Sequence, residues 1–235
     1  MADFRNITAT QSSAVAINAF MRGVYTWMSG GLLLTAVVAF GVINTPALIQ
    51  TVASNPTILL VLILAELGLV LTISAGISKL SGTMATSLFM LYSGLNGVTL
   101  APILLLYTGA SVAGTFVICA GMFGAMSLYG LTTKKDLTSW GSFLFMGLIG
   151  IVLAAVVNMF LQSAMIEFVI SGVGVLVFTG LTAWDTQQLK TMGETAPADD
   201  ATAVRRGTIL GALRLYLDFI NLFLMLLRFF GQMRE

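Results

Sequence analysis

The sequence predicts an all-α membrane protein with seven transmembrane helices. Of its 235 residues, 57% are hydrophobic and only 9% are charged, and the mean hydropathy is +0.97. A soluble domain is about 25% charged, so these few charges cannot cover a surface that faces water, whereas lipid requires no polar partner. The apolar residues also fall into seven runs near the roughly 20 residues that cross a bilayer core of ~30 Å.

Short polar links separate the seven runs, and the length of the chain predicts one compact helical bundle without a second domain. Residues 1–22 are predicted to be a cytoplasmic segment with room for a short interfacial helix at 14–20, residues 23–231 the membrane domain, and residues 232–235 a short tail. The N-terminal residues lack the apolar stretch of a signal peptide. The predicted spans are 23–43, 56–77, 84–107, 112–129, 139–161, 166–183 and 208–230, and an extension of the sixth span past Asp185 is left open.

Lysine and arginine predict the orientation, because cytoplasmic links carry an excess of them. They occur before the first span and in the second, fourth and sixth links, which places the N-terminus in the cytoplasm. The C-terminal end, with Arg228 and Arg234, would then lie on the opposite side, against the rule, unless the last segment is re-entrant. The basic residues on the cytoplasmic side are Arg5, Arg22, Lys79, Lys134, Lys135, Lys190, Arg205 and Arg206.

Composition also excludes several functions. The chain has no histidine, so Ser-His and Cys-His catalysis, histidine zinc sites and imidazole pH sensors are excluded. Cys119 is the only cysteine and is interpreted as a packing residue in an apolar run. A net charge of +1 gives no field that would attract nucleic acid.

Ionisable residues inside the apolar runs are the candidates for function, because a charge at the bilayer centre costs at least ~2.5 kcal/mol. Asp218 lies in the middle of the last span, and Arg214 and Asn221 fall on the same helix face by their spacing. An internal Arg214–Asp218 ion pair that only neutralises itself is the alternative. Asp185 lies at the end of span six, and its position alone is that of an ordinary helix-end residue at the level of the lipid headgroups.

Glu66 lies well inside span two, with no other charge within ten residues. A carboxyl group in this position is either neutral and hydrogen-bonded to a neighbour or paired across helices. It could therefore have a structural role or line an ion pathway.

Three segments resemble bacterial members of the Bax inhibitor-1 (transmembrane BAX inhibitor motif) family: LYLDFINLFLMLLRFFG, WDTQQLK and FGAMSLYGLTTKKDLTSWG. The resemblance covers residues 25–231. It implies two groups of three helices around a central seventh, in a pH-sensitive calcium leak protein of the inner membrane. Its key aspartate pair would fall on Asp185 and Asp218, and the acidic residue of its second span on Glu66.

The implied pair suggests a mechanism. Two close carboxylates cannot both ionise cheaply, so they share one proton. Losing that proton leaves two charges that repel, which separates the helices and frees oxygen ligands suited to Ca²⁺ as the transported ion. No bound cofactor is expected. Arg214 departs from the family pattern, and a cation one turn from Asp218 would favour the charged carboxylate.

Two other functions compete with the channel or transporter. The protein could regulate stress survival or quality control by binding other membrane proteins. It could also be an intramembrane aspartyl protease with Asp185 and Asp218 as the catalytic pair, although the GxGD signature is missing, since Leu215, Tyr216 and Leu217 precede Asp218. We therefore expect no enzyme activity, and the expected partners are lipid, calcium ions, protons and a possible membrane protein.

Overall fold

The computed structural model describes residues 2–196 and 200–234, with side chains from Val15 onward. Within these residues the chain is helical, with one 3₁₀ turn at Ile77–Lys79 and no β-sheet. The helices are α1 (Ala2–Ile43), α2 (Pro46–Ser54), α3 (Pro56–Gly76), α4 (Gly82–Leu105), α5 (Gly109–Thr132), α6 (Thr138–Leu161), α7 (Ala164–Thr195) and α8 (Ala201–Phe230).

Seven of the helices in the described residues are long and apolar enough to cross a membrane, which confirms the predicted fold class. The most apolar stretches of α3 and α6 have mean hydropathies of 2.6 and 2.5, yet only 11% of each is buried. So much exposed apolar surface requires lipid around it. In α8, by contrast, 78% of the corresponding stretch is buried. The arrangement of two groups of three helices around a central one remains a prediction.

Three boundaries differ from the sequence prediction. Residues 14–20 belong to the continuous helix α1 and do not form a separate interfacial helix. The first link contains a nine-residue helix, α2, which begins at Pro46, where the missing N–H of proline is harmless. Helix α7 continues well beyond residue 183, so Asp185 lies ten residues before the end of the helix and not at its terminus.

The last helix is long and apolar enough to cross a membrane. Helix α8 is a continuous helix of 30 residues, about 45 Å long. After it, the backbone N–H of Arg234 donates to the carbonyl of Leu106 at 2.9 Å, and the N–H of Thr108 donates to the carbonyl of Gln232 at 3.0 Å. The C-terminal tail therefore lies against the turn between α4 and α5.

The chain divides into two compact units, and α7 and α8 each contribute residues to both. The first unit contains the residues up to Leu105 and Leu189–Tyr216, and the second contains Leu106–Gln188 and the residues from Leu217 onward. In the first unit, α1 and α4 pack closely at Gly97, where an added Cβ would lie 2.6 Å from the carbonyl oxygen of Thr35.

Aromatic packing joins α5 and α8 in the second unit. The ring of Phe219 meets those of Phe116 and Phe123 edge-on, at centroid distances of 5.5 and 5.4 Å. Edge-to-face pairs at this separation stabilise a core beyond the burial of their surface.

Candidate functional site

Asp185 and Asp218 belong to the same compact unit, on α7 and α8 respectively. They are 8% and 5% exposed, although both side chains are ionisable. Carboxyl groups so removed from water are retained where they are partnered or functional. Both predicted aspartates are therefore buried residues of the second unit, while their pairing remains a prediction.

The part of α7 around Asp185 is fixed to the link between α5 and α6 by Gln187. The side-chain oxygen of Gln187 accepts from the backbone N–H of Leu137 at 2.8 Å, and its amide nitrogen donates to the carbonyl of Lys135 at 2.8 Å. The hydroxyl of the neighbouring Thr186 donates to that of Ser127 at 3.5 Å. The sequence alone did not indicate this anchoring role, although Gln187 lies in the WDTQQLK segment.

Around Asp218, α8 is held by packing and by bonds within the helix. The thiol of Cys119, which is fully buried, donates to the carbonyl of Phe219 at 3.6 Å. This contact agrees with the packing role expected of the lone cysteine. The side-chain nitrogen of Asn221 donates to the carbonyl of Leu217 at 2.8 Å, so one donor of this candidate residue serves its own helix. Arg214 is half-buried on α8, in its first-unit part.

Glu66 forms a second acidic position, in the first unit. Its side chain is 9% exposed and points inward from α3, as predicted. One carboxylate oxygen accepts from the hydroxyl of Thr99 at 2.5 Å, and the other accepts from the amide of Asn96 at 3.3 Å. In the described part of the chain, no lysine or arginine pairs with it. The hydrogen-bonding partners of Glu66 are thus two uncharged side chains of α4, and whether Glu66 has a structural role or lines an ion pathway remains a prediction.

The hydrogen bonds continue from Glu66 across the first unit. The hydroxyl of Tyr216 donates to the side-chain oxygen of Asn96 at 3.0 Å, and its oxygen lies 2.6 Å from that of the Thr35 hydroxyl. Thr35 in turn bonds the carbonyl of Ser93 at 2.8 Å. These contacts connect α1, α3, α4 and α8. We call the five side chains the Glu66 network: Thr35, Glu66, Asn96, Thr99 and Tyr216.

Sequence analysis singled out Glu66 but missed its partners. Two signals were present in the sequence. The first is that Asn96 and Thr99 lie three residues apart in an apolar span, which puts them on one helix face. Tyr216 precedes Asp218 by two residues in the last-span motif, and its side chain is completely buried. A buried phenol needs a partner for its hydroxyl, but the sequence alone could not indicate that the partners lie on α1 and α4.

The described residues contain no group of three or more acidic or cysteine side chains that could hold a metal ion.

Seven apolar spans with acidic side chains buried inside them define the class: a polytopic helical membrane protein. A family model described as "Inhibitor of apoptosis-promoting Bax1" matches residues 17–235. The chain belongs to this family, the Bax inhibitor-1 family, as its motifs predicted.

Relatives are similar along almost the whole chain. The inner membrane protein YbhL of Escherichia coli is 55% identical over 218 residues, which cover 93% of each protein. An uncharacterized protein of Borreliella burgdorferi is 45% identical, covering 98% of this chain and 99% of the relative. An uncharacterized membrane protein of Streptococcus pyogenes is 36% identical, covering 97% and 98%. These names describe membrane proteins or leave the function open.

Proposed function

We propose that the protein is a pH-sensitive calcium leak channel or transporter, in which Asp185 and Asp218 share a proton in the closed state. The observation that carries the proposal is the burial of both carboxyl groups within one compact unit, at 8% and 5% exposure. Two carboxyl groups in a water-poor interior favour a shared proton over two charges. With no histidine in the chain, carboxyl groups are the natural sensor.

The chemistry of opening follows from electrostatics. Losing the shared proton leaves two negative charges on α7 and α8, which repel each other and favour separation. The freed oxygens can then bind Ca²⁺, which takes 6–8 oxygen ligands. Two carboxylates supply only part of that number, and water or backbone carbonyls would complete it. Such a set suits an ion in transit better than one held permanently.

The location of the protein is part of the proposal. The E. coli relative is named an inner membrane protein, and the seven apolar spans of this chain require a bilayer. We place it in the bacterial inner membrane with its N-terminus in the cytoplasm, as the distribution of lysine and arginine indicates.

A second candidate function has its own support. The family description names inhibition of another protein, Bax1. The protein would then act by binding a partner membrane protein, and the buried acids would stabilise the fold without conducting ions. The two functions differ in whether the purified protein moves calcium by itself.

Calcium flux into liposomes that contain the purified protein, measured from acidic to neutral pH, tests the proposal. We expect a pH-dependent flux that Asp185→Asn and Asp218→Asn each make independent of pH. Glu194→Gln is the matched control, because Glu194 is an exposed acid on α7. If wild-type protein carries no flux, or Asp218→Asn titrates like wild type, the calcium proposal fails and partner regulation takes its place.

A further inference from the structure

A cavity of about 410 Å³ lies at the turn between α6 and α7, in the second unit. Four polar side chains line it: Asn158, Gln162, Glu167 and Arg228. The rest of the lining is apolar and includes Met159. The cavity belongs to neither the aspartate pair nor the Glu66 network, and it contains one negative and one positive side chain.

The two charged side chains do not neutralise each other directly. In residues 2–196 and 200–234, neither Glu167 nor Arg228 forms a side-chain hydrogen bond or an ion pair, although both line the same cavity. The charges of Glu167 and Arg228 also act on Tyr107, whose buried phenol lies outside the spans. Burial raises the pKa of Tyr107, the charge of Arg228 opposes that shift, and the charge of Glu167 adds to it. The cavity thus offers an anion and a cation that do not pair with each other.

The neutral side chains add further hydrogen-bonding capacity. The side-chain oxygen of Asn158 accepts from the backbone N–H of Ser163 at 3.0 Å, which leaves its amide nitrogen available. Gln162 ends α6 in the left-handed conformation, at φ 50° and ψ 37°, where glycine is the usual residue because it has no Cβ. The chain keeps a larger amide side chain at this strained position, on the wall of the cavity.

The depth of the cavity in the membrane indicates which ligands it can contact. Helix α6 has 24 residues and is about 36 Å long, slightly more than the ~30 Å hydrocarbon core. The turn that follows it therefore lies at the level of the lipid headgroups. Beside the cavity, the apolar side chains of Met159, Phe160 and Phe168 are exposed, Phe160 at 78%, and these can contact acyl chains.

We propose that this cavity binds a phospholipid with a zwitterionic headgroup, with the phosphate on Arg228 and a primary ammonium on Glu167. Arginine matches the geometry of phosphate through paired N–H groups, and a carboxylate accepts hydrogen bonds from an ammonium. The two amides can complete the contacts of the headgroup. The exposed apolar side chains beside the cavity favour a lipid over a soluble zwitterion.

The charges predict a selectivity. Phosphatidylethanolamine satisfies both Glu167 and Arg228. Phosphatidylglycerol brings no cation and leaves its negative charge near Glu167, whereas the quaternary ammonium of phosphatidylcholine cannot donate hydrogen bonds. We expect phosphatidylethanolamine to bind most tightly of the three, by roughly tenfold.

Native mass spectrometry and thermal unfolding of the purified protein, with each lipid at matched chain length, test this inference. Glu167→Gln should remove the preference for phosphatidylethanolamine over phosphatidylglycerol, while Arg228→Gln should weaken retention of all three lipids roughly tenfold. The controls are Arg234→Gln and Glu194→Gln, because both residues are exposed and neither lines the cavity. If Arg228→Gln does not fold, Arg228→Lys takes its place, because lysine keeps the charge but loses the paired N–H groups. Compared with the wild type, it should weaken retention of all three lipids by less than tenfold.

Three outcomes would overturn the proposal. The first is equal retention of all three lipids by the wild-type protein, and the second is unchanged selectivity in both cavity variants. The third is binding of water-soluble glycerophosphoethanolamine as tight as that of the lipid, which would make the ligand a soluble zwitterion. These measurements do not involve calcium flux, so they test lipid binding independently of the proposed function.

Discussion

The hydroxyl of Thr99 on α4 lies 2.5 Å from a carboxylate oxygen of Glu66 on α3, although the two residues are 33 positions apart in the chain. The acid is thus held by neutral donors inside an apolar bundle. Removing such a donor leaves a buried acceptor unsatisfied, which costs about 1–3 kcal/mol. The Glu66 network should therefore contribute measurably to stability.

Thr99→Val tests this contribution, because it removes the hydroxyl with little change in shape. We expect it to lower the free energy of unfolding by about 1–3 kcal/mol, measured by denaturant titration in detergent. The control is Thr72→Val on α3, where the exposed hydroxyl bonds only the carbonyl of Gly68 in its own helix. Equal effects of the two substitutions would contradict a special role for the Thr99 bond.

Tyr216→Phe should disconnect Asn96 from Thr35 while preserving the ring, which packs edge-on against Phe89 and Tyr92. We expect a loss of about 1–2 kcal/mol. When Tyr216→Phe is combined with Thr35→Val, the two losses in the free energy of unfolding should not add. We expect a coupling energy between the two substitutions of about 0.5–3 kcal/mol. Thermal unfolding of the two single variants and the double variant measures the coupling, and strict additivity would show that the two hydroxyls act independently.

Gly97→Ala should disturb the contact between α1 and α4, because the added Cβ would lie 2.6 Å from the carbonyl oxygen of Thr35. Overpacking of this kind costs about 1–3 kcal/mol. Gly94→Ala is the matched control on the same helix, since nothing lies within 4 Å of a Cβ at that position. A melting temperature as high for Gly97→Ala as for Gly94→Ala would mean that the helices separate without penalty.

Glu66→Gln tests whether the acid lines an ion path. Glutamine keeps the size and polarity of the side chain, so we expect folding and expression to be retained. Calcium flux in liposomes should fall if cations pass Glu66. Unchanged flux in a folded variant would leave Glu66 with the structural role that its neutral partners support.

Orientation can be tested with reporters fused or attached at single sites. Reporters at Lys134 and Thr195 should lie in the cytoplasm, and those at Thr51 and Thr108 on the opposite side. An external signal from Lys134 would overturn the predicted topology.

The sequence predicted the seven spans well because each apolar run carries its own signal, independent of its neighbours. It placed the end of span six too early, since the polar residues after Ala183 continue the helix and Gln187 anchors them to a distant link. The spacing of Asn96 and Thr99 indicates that they share one face of α4. The sequence could not indicate that this face meets Glu66, because hydrogen bonds between α3 and α4 depend on how those two helices pack.

The division of α8 between the two units has a consequence for biosynthesis. Leu189–Tyr216 complete the first unit, and the residues from Leu217 onward complete the second. While the ribosome is still making the last helix, α1, α3 and α4 can already be inserted, but Asn96 and Thr35 lack the Tyr216 hydroxyl that joins them. Neither unit is complete until the last helix has been made, and a nascent chain that ends before Leu210 lacks the Tyr216 side chain of the Glu66 network.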